Sequence, residues 1–309
     1  MRFVTKIRRR FQSCPWNGKK NDFVRTLYRG DLRVPSQQKS LAFFTVHRCA
    51  SSFVGQLLSD LALEKGIIPI DIEGFVHASP GVAPIDQQLI DFHRSCSGNT
   101  DSNKSIDESI CKRFFRPHGL FFGPIRDPRC IHQVLSEDGT KSILMLRDPR
   151  DVLTSLYFSI LHSHAIPNNP NAKQTLLRLR EEGSQVNIDQ YINYLVAEWA
   201  GNYRMYRTEL VGRPDVMLLK YEDMVADFPS WFDQLTNFWQ IELRPRIRDK
   251  YLQRANFDVK REDKNAHKRK VTPGDFREKL RPQTIEMLNY EFRDVLNLLG
   301  YSTNEKAAA

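Results

Sequence analysis

No stretch of this 309-residue chain is apolar for long. Nothing in it approaches the roughly 20 residues a membrane-spanning helix needs. The basic start, "MRFVTKIRRRFQSCPW", lacks the apolar core of a secretory signal. Five cysteines, at 14, 49, 96, 111 and 130, form no CxxC pair and no even-numbered framework. That argues against a disulfide scaffold or zinc ribbon and for reduced thiols in the cytoplasm. Glycine (15) and proline (16) are too ordinary for a fibrous or wholly disordered chain. With 40% hydrophobic and 27% charged residues, the composition supports one sizeable core, or at most two unequal domains.

The net charge is +9, unevenly spread. Residues 1–33 carry ten Lys/Arg against two Asp/Glu, and residues 244–281 carry fourteen against six. Two concentrated basic segments point to anionic partners, although charge runs are also simply solvated faces.

"LAFFTV" reads as a buried strand, and "SSFVGQLLSDLALEKG" as an amphipathic helix capped by Ser51 or Ser52 and stopped at Gly66. "IIPIDIEGF" offers a second short strand, 78–109 an irregular excursion, and "ICKRFFRPHG" a strand ending in a loop. The pattern then repeats: a strand at Ser142–Leu146, an Asp-Pro turn, and a helix from about Arg150. Helices are expected over 172–182 and 188–207, a third strong strand in "DVMLLKYEDM", and helices in "PSWFDQLTNFWQI" and "RPQTIEMLNYEFRDVLNLLG". This alternation predicts an α/β fold: a single domain, 36–303, with a central mostly parallel sheet flanked by helices. A basic, partly ordered extension (1–35) precedes it and a frayed tail (304–309) follows. Ligands of such sheets sit beyond the carboxyl ends of the strands, where "HRCASS", "RDPRD" and "KYED" fall.

The turn after the first strand has the position of a phosphate-binding loop, yet no loop glycine and no lysine. It therefore does not fit the GxxxxGK[ST] pattern. Backbone N–H groups from Cys49 to Phe53 at a helix start, the Ser51 and Ser52 hydroxyls and the Arg48 fork still suit an anion. Ala50 must then take a conformation usually left to glycine. Taken alone, the loop reads equally well as the cap of a structural helix. Arg147 ends a later strand and Ser155 follows within the next helix, where both can face an anion. Arg147 pairing with Asp148 or Asp151 is the plainer alternative.

Four blocks in order resemble the sulfotransferases that use 3′-phosphoadenosine 5′-phosphosulfate (PAPS). "HRCASSF" resembles the family's PKSGTTW loop, "LRDPRDVLTSLY" its RNPKDVAVSYY, "LKYEDM" its YEDL and "RKVTPGDFREKL" its RKGxxGDWKNxF. The resemblance implies that Arg48, Cys49, Ala50, Ser51 and Ser52 cradle the 5′-phosphosulfate and that Phe53 stacks on adenine. It puts Arg147, Ser155, Arg269 and Lys270 on the 3′-phosphate, Tyr221 near the adenine, and Gly274 at the family glycine. PAPS, leaving as adenosine 3′,5′-bisphosphate (PAP), is the implied cofactor, with no metal required.

Sulfuryl transfer is an in-line displacement carried mainly by positioning and electrostatics. Arg48 stands where the family has lysine and cannot act as a general acid. "FFRPHG" resembles the family's KTHLP, with Arg116 at the lysine and His118 at the catalytic histidine. The rival base is a carboxylate, Glu73 first, with Asp71 and His77 behind it. Phe115, Phe121, Phe122, Tyr157, Phe158 and His162 offer contacts to an acceptor, although aromatic stripes more often build cores. The expected acceptor is a hydroxylated small molecule or carbohydrate; nucleic acid is not expected, and a homodimer is allowed. Two other readings stay open: a phosphoryl-transfer enzyme holding metal through Asp148 or Asp223, and a non-catalytic basic protein binding an anionic polymer.

Overall fold

The structure, a computed structural model, describes residues 16–34, 36–79, 81–96, 108–130, 135, 140–255, 257, 262–263 and 269–301. The expected tail (304–309), the first fifteen residues of the basic extension and the middle of the 78–109 excursion lie outside them. The chain divides into two compact units. One comprises Met1–Thr45, Ser51–Ile143 and Pro214–Met217; the other comprises Val46–Ala50, Leu144–Arg213 and Leu218–Ala309.

The first unit begins with α1 (Trp16–Arg29), within the segment expected to be a partly ordered extension, and Val24 and Leu27 of this helix are wholly buried. Strand β1 (Leu41–Thr45) is buried along its whole length and passes through a turn into α2 (Ser51–Glu64). Strand β2 (Ile68–Ile70), α3 (Ile72–Ala78), α4 (Pro84–Cys96), α5 (Glu108–Phe114) and β3 (Leu120–Ile125) follow. The β1/β3 and β2/β3 pairs are parallel. Two expectations are corrected here. Part of the excursion is helical, through α4 and the start of α5. The strand expected in "ICKRFFRPHG" is instead α5, and the true strand is "LFFGPI", six buried residues. A continuous apolar run does not by itself separate a strand from a buried helix. Phe115, Phe121 and Phe122 are also buried, and the rings of Phe115 and Phe122 pack with Phe92, Phe114 and each other at centroid distances of 5.1 to 6.4 Å. Burial of each such ring contributes roughly 1.5–3 kcal/mol.

Strand β4 (Lys141–Leu146) leads into α6 (Pro149–Phe158), where Asp148 caps the helix by accepting from Arg150 N at 2.9 Å and Pro149 occupies the first turn. A π-helical turn, Ser159–Ser163, extends α6, and Arg180 donates to its Ile160 carbonyl (2.8 Å) and to His164 O (2.6 Å). Then come α7 (Pro170–Ser184), α8 (Ile188–Leu210), β5 (Val216–Lys220) and α9 (Tyr221–Ala226). The chain continues through α10 (Phe228–Phe238), α11 (Pro245–Arg254), α12 (Phe276–Lys279), α13 (Pro282–Glu291) and α14 (Arg293–Leu299). The sheet runs β2-β3-β1-β4-β5, mostly parallel, as the alternation predicts. Successive strands lie on opposite sides of β1, which makes the carboxyl end of β1 the natural ligand position.

Candidate active site

In the second unit Arg48 follows β1, Arg147 follows β4 and Tyr221 follows β5; in the first, Arg126 follows β3. In the second unit the turn after β1 takes its unusual shape without glycine. Arg48 and Ala50 both have left-handed backbone, at φ 64 and 51. Each costs about 1–2 kcal/mol for an L-residue. The shape is held from outside. Cys49 Sγ donates to Met145 O of β4 (3.6 Å), and Arg147 Nη1 donates to Arg48 O (2.8 Å).

Arg147 is buried at 4% exposure. Its guanidinium lies 4.3 Å over the Tyr221 ring and 3.8 Å from the Asp151 carboxylate, and Tyr203 Oη donates to its carbonyl at 2.8 Å. Its Nε has no hydrogen-bond partner among the described residues. Burial pulls the Arg147 pKa down, and Tyr221, Asp151 and Glu222 more than restore it. Asp151 is not free to neutralise the cluster, because it accepts from Gly274 N (2.7 Å) and Phe276 N (3.1 Å). Gly274, at φ 90, turns the backbone so that both donors face that carboxylate. The "RKVTPGDF" block is thereby tied to α6.

Arg48 Nε donates to Ser155 Oγ at 3.1 Å. Burial, then the charges of Arg147 and Arg269, push the Arg48 pKa down to about 10. Three guanidiniums thus share a site, and two of them lower the pKa of the third, Arg48. Arg269 lies 4.3 Å over the Phe158 ring and is held by Glu262 and Asp275, while Lys270 meets Asp275 (3.2 Å) and Glu278 (2.8 Å). Tyr221 donates to Val271 O (3.1 Å), so it backs Arg147 rather than presenting a free hydroxyl.

In the first unit, Ser51 is buried, Ser52 exposed and Phe53 half-buried. Arg126 Nε donates to Ser51 Oγ (3.1 Å), and Arg126 grips Glu73 twice, through its backbone N (2.5 Å) and Nη1 (2.9 Å). Glu73 therefore joins the carboxyl-end cluster of β1, β2 and β3. Asp71, the second carboxylate candidate, accepts from Gly74 N (2.8 Å) as the cap of α3. Burial and the Arg126 charge hold His77 below the ordinary histidine range.

His118 and Arg116 are elsewhere. His118 is exposed and bridges to Lys39 before β1 begins; Ser40 N donates to Pro117 O (2.7 Å) and Arg116 Nη1 to Leu32 O (2.9 Å). This segment pairs at the amino ends of β1 and β3. The carboxyl ends are five strand residues further on, about 16 Å at roughly 3.3 Å per residue. His118 thus stands at the amino end of β3, and the residue at its carboxyl end is Arg126. The sequence carried a signal for it, since "IRDPR" at 125–129 repeats the "LRDPR" at 146–150 and each tetrapeptide RDPR follows a strand.

No helix of the described residues is long and apolar enough to cross a membrane, and no His/Cys/Asp/Glu cluster among them is arranged to hold a metal. The family model for the sulfotransferase domain matches residues 44–298. No curated sequence matches significantly. Among solved structures, mouse sulfotransferase SULT7A1 complexed with PAP shares 15% identity at a TM-score of 0.54, over 89% of this chain and 91% of that one. A retinol dehydratase, in complex with androsterone and inactive cofactor PAP, shares 14% at a TM-score of 0.43, over 94% and 88%. A sulfotransferase from Alicyclobacillus acidocaldarius shares 13% at 0.43, over 86% and 97%.

Proposed function

The chain belongs to the sulfotransferase family, and on that footing we propose that it transfers the sulfuryl group of PAPS to a hydroxyl of a small-molecule or carbohydrate acceptor. The observation that carries the reading is Arg147, a buried guanidinium with an unpartnered Nε beside two further arginines. Unpaired donors and crowded cations of this kind are stabilised by a phosphate-bearing ligand.

In this reading Arg147, Ser155, Arg269 and Lys270 hold the 3′-phosphate. Backbone N–H groups from Cys49 to Phe53, with the Ser51 and Ser52 hydroxyls, cradle the 5′-phosphosulfate, and Phe53 lies on the adenine. Tyr221 and Asp151 orient Arg147 and the Gly274 segment. PAPS, when bound, supplies an activated sulfuryl group and a phosphate leaving group. Arg48 stays protonated and stabilises charge on the equatorial and bridging oxygens. Glu73 accepts the proton of the acceptor hydroxyl, held by Arg126, which also fixes Ser51. We place the protein in the cytoplasm, where the Cys49 thiol stays reduced.

Calorimetry with PAP in the presence of a chelator tests the reading. Saturable binding of PAP, tighter than that of ATP, is expected. Failure to bind PAP, with salt-sensitive binding of heparin instead, would move the protein to the anionic-polymer reading.

A further inference from the structure

Arg269 does not meet its two carboxylates on equal terms. Asp275 is 2% exposed and also neutralises Lys270 at 3.2 Å. Glu262 is more open, at 28%, and its second oxygen takes Lys279 Nζ at 3.1 Å. Asp263 N donates to Arg269 O at 3.4 Å. Burial pushes the Glu262 pKa up, but Arg269 and Lys279 together hold it below the ordinary glutamate range, so Glu262 is an anion at neutral pH. Each carboxylate holds a second cation, but Glu262 is the more exposed of the two and so the one with room to swing away from Arg269.

Arg269 offers Nη1 to Glu262 and Nη2 to Asp275, so a phosphate that takes a terminal nitrogen must displace one of them, and Glu262 is the more open. Two anions cannot share one guanidinium edge without mutual repulsion. We propose that Glu262 competes with the nucleotide's 3′-phosphate for Arg269, withdrawing onto Lys279 when the phosphate binds, and thereby sets how tightly that phosphate is held. The proposal rests on the reading of Arg269 as a 3′-phosphate contact. Its consequence for turnover is that the same carboxylate, returning to Arg269, favours departure of PAP.

The experiment is calorimetry of the full chain with PAP and, by competition, with adenosine 5′-monophosphate (AMP), which lacks the 3′-phosphate. E262Q removes the competing charge while keeping the side chain's shape, and should tighten PAP about tenfold, the worth of one charge-assisted hydrogen bond, with AMP unchanged. K279M removes the resting place for Glu262 and should loosen PAP severalfold, again with AMP unchanged. An unchanged or weaker affinity for PAP in E262Q, or an equal gain for AMP, overturns the proposal. If E262Q fails to fold, an unchanged or tighter affinity for PAP in K279M does the same. A wild-type protein that binds AMP as tightly as PAP refutes the 3′-phosphate reading itself, a separate result visible before any variant is made.

Discussion

Replacing Arg147 with methionine separates its role in binding from its role in the fold. Methionine keeps an unbranched stem against the Tyr221 ring, which lies 4.3 Å from the guanidinium, and removes the charge and all five donors. Two charge-assisted hydrogen bonds to a phosphate, at about 1.5–3 kcal/mol each, amount to about 3–6 kcal/mol. PAP affinity should therefore fall by about two to four orders of magnitude. The fold loses less. Arg48 O gives up one donor at 2.8 Å, and Asp151 loses a cation 3.8 Å away while keeping Gly274 N and Phe276 N. That costs about 1–2 kcal/mol, partly offset because Arg48 no longer faces a neighbouring guanidinium. Calorimetry with PAP and urea denaturation of the free protein measure the two quantities independently. R147K keeps a point charge without the fork and should fall between. Affinity for PAP in R147M within threefold of wild type would refute the assignment of Arg147 to the phosphate.

The remaining predictions concern the loop, the base and a buried acid. A50G relieves left-handed strain at φ 51; about 1–2 kcal/mol of strain less about 0.5–1 for glycine's entropy should stabilise the protein by about 0.5–1 kcal/mol in urea. A loss of stability would show that the Ala50 methyl packs. E73Q should retain PAP affinity and lose about 100-fold or more in PAP release from PAPS across a panel of hydroxylated acceptors, whereas H118A should stay within about twofold on both. The opposite pattern would return the base to the histidine. Burial raises the Glu222 pKa against the hydrogen bonds it accepts from Tyr301 and Asp148 N. Its charged form is therefore the costly one, and its contribution is lost as pH rises through the folded value. E222Q should melt above wild type at pH 7.5, with the gap closing towards about pH 4, below the ordinary glutamate range; a gap that widens on acidification would contradict this.

Local pattern alone set much of this protein. A short apolar run followed by helical spacing placed β1 with α2 and β4 with α6 to within a residue or two. Arg147 at a strand end, Ser155 in the following helix and "RKVTPGDF" pointed to phosphate chemistry, because strand-end placement in a parallel sheet follows from chain direction. What sequence could not decide was which loop reaches which end of the sheet. "FFRPHG" looked catalytic as a string, yet it pairs with 38–40 at the amino ends of β1 and β3, and "LFFGPI" was hidden as one more aromatic run. The grip of Arg126 on Glu73 joins residues 53 apart in the chain that only packing brings together. Side-chain period and capping are properties of neighbours along the chain; the register between strands, and the partners of a buried charge, are settled only when distant segments share one desolvated space.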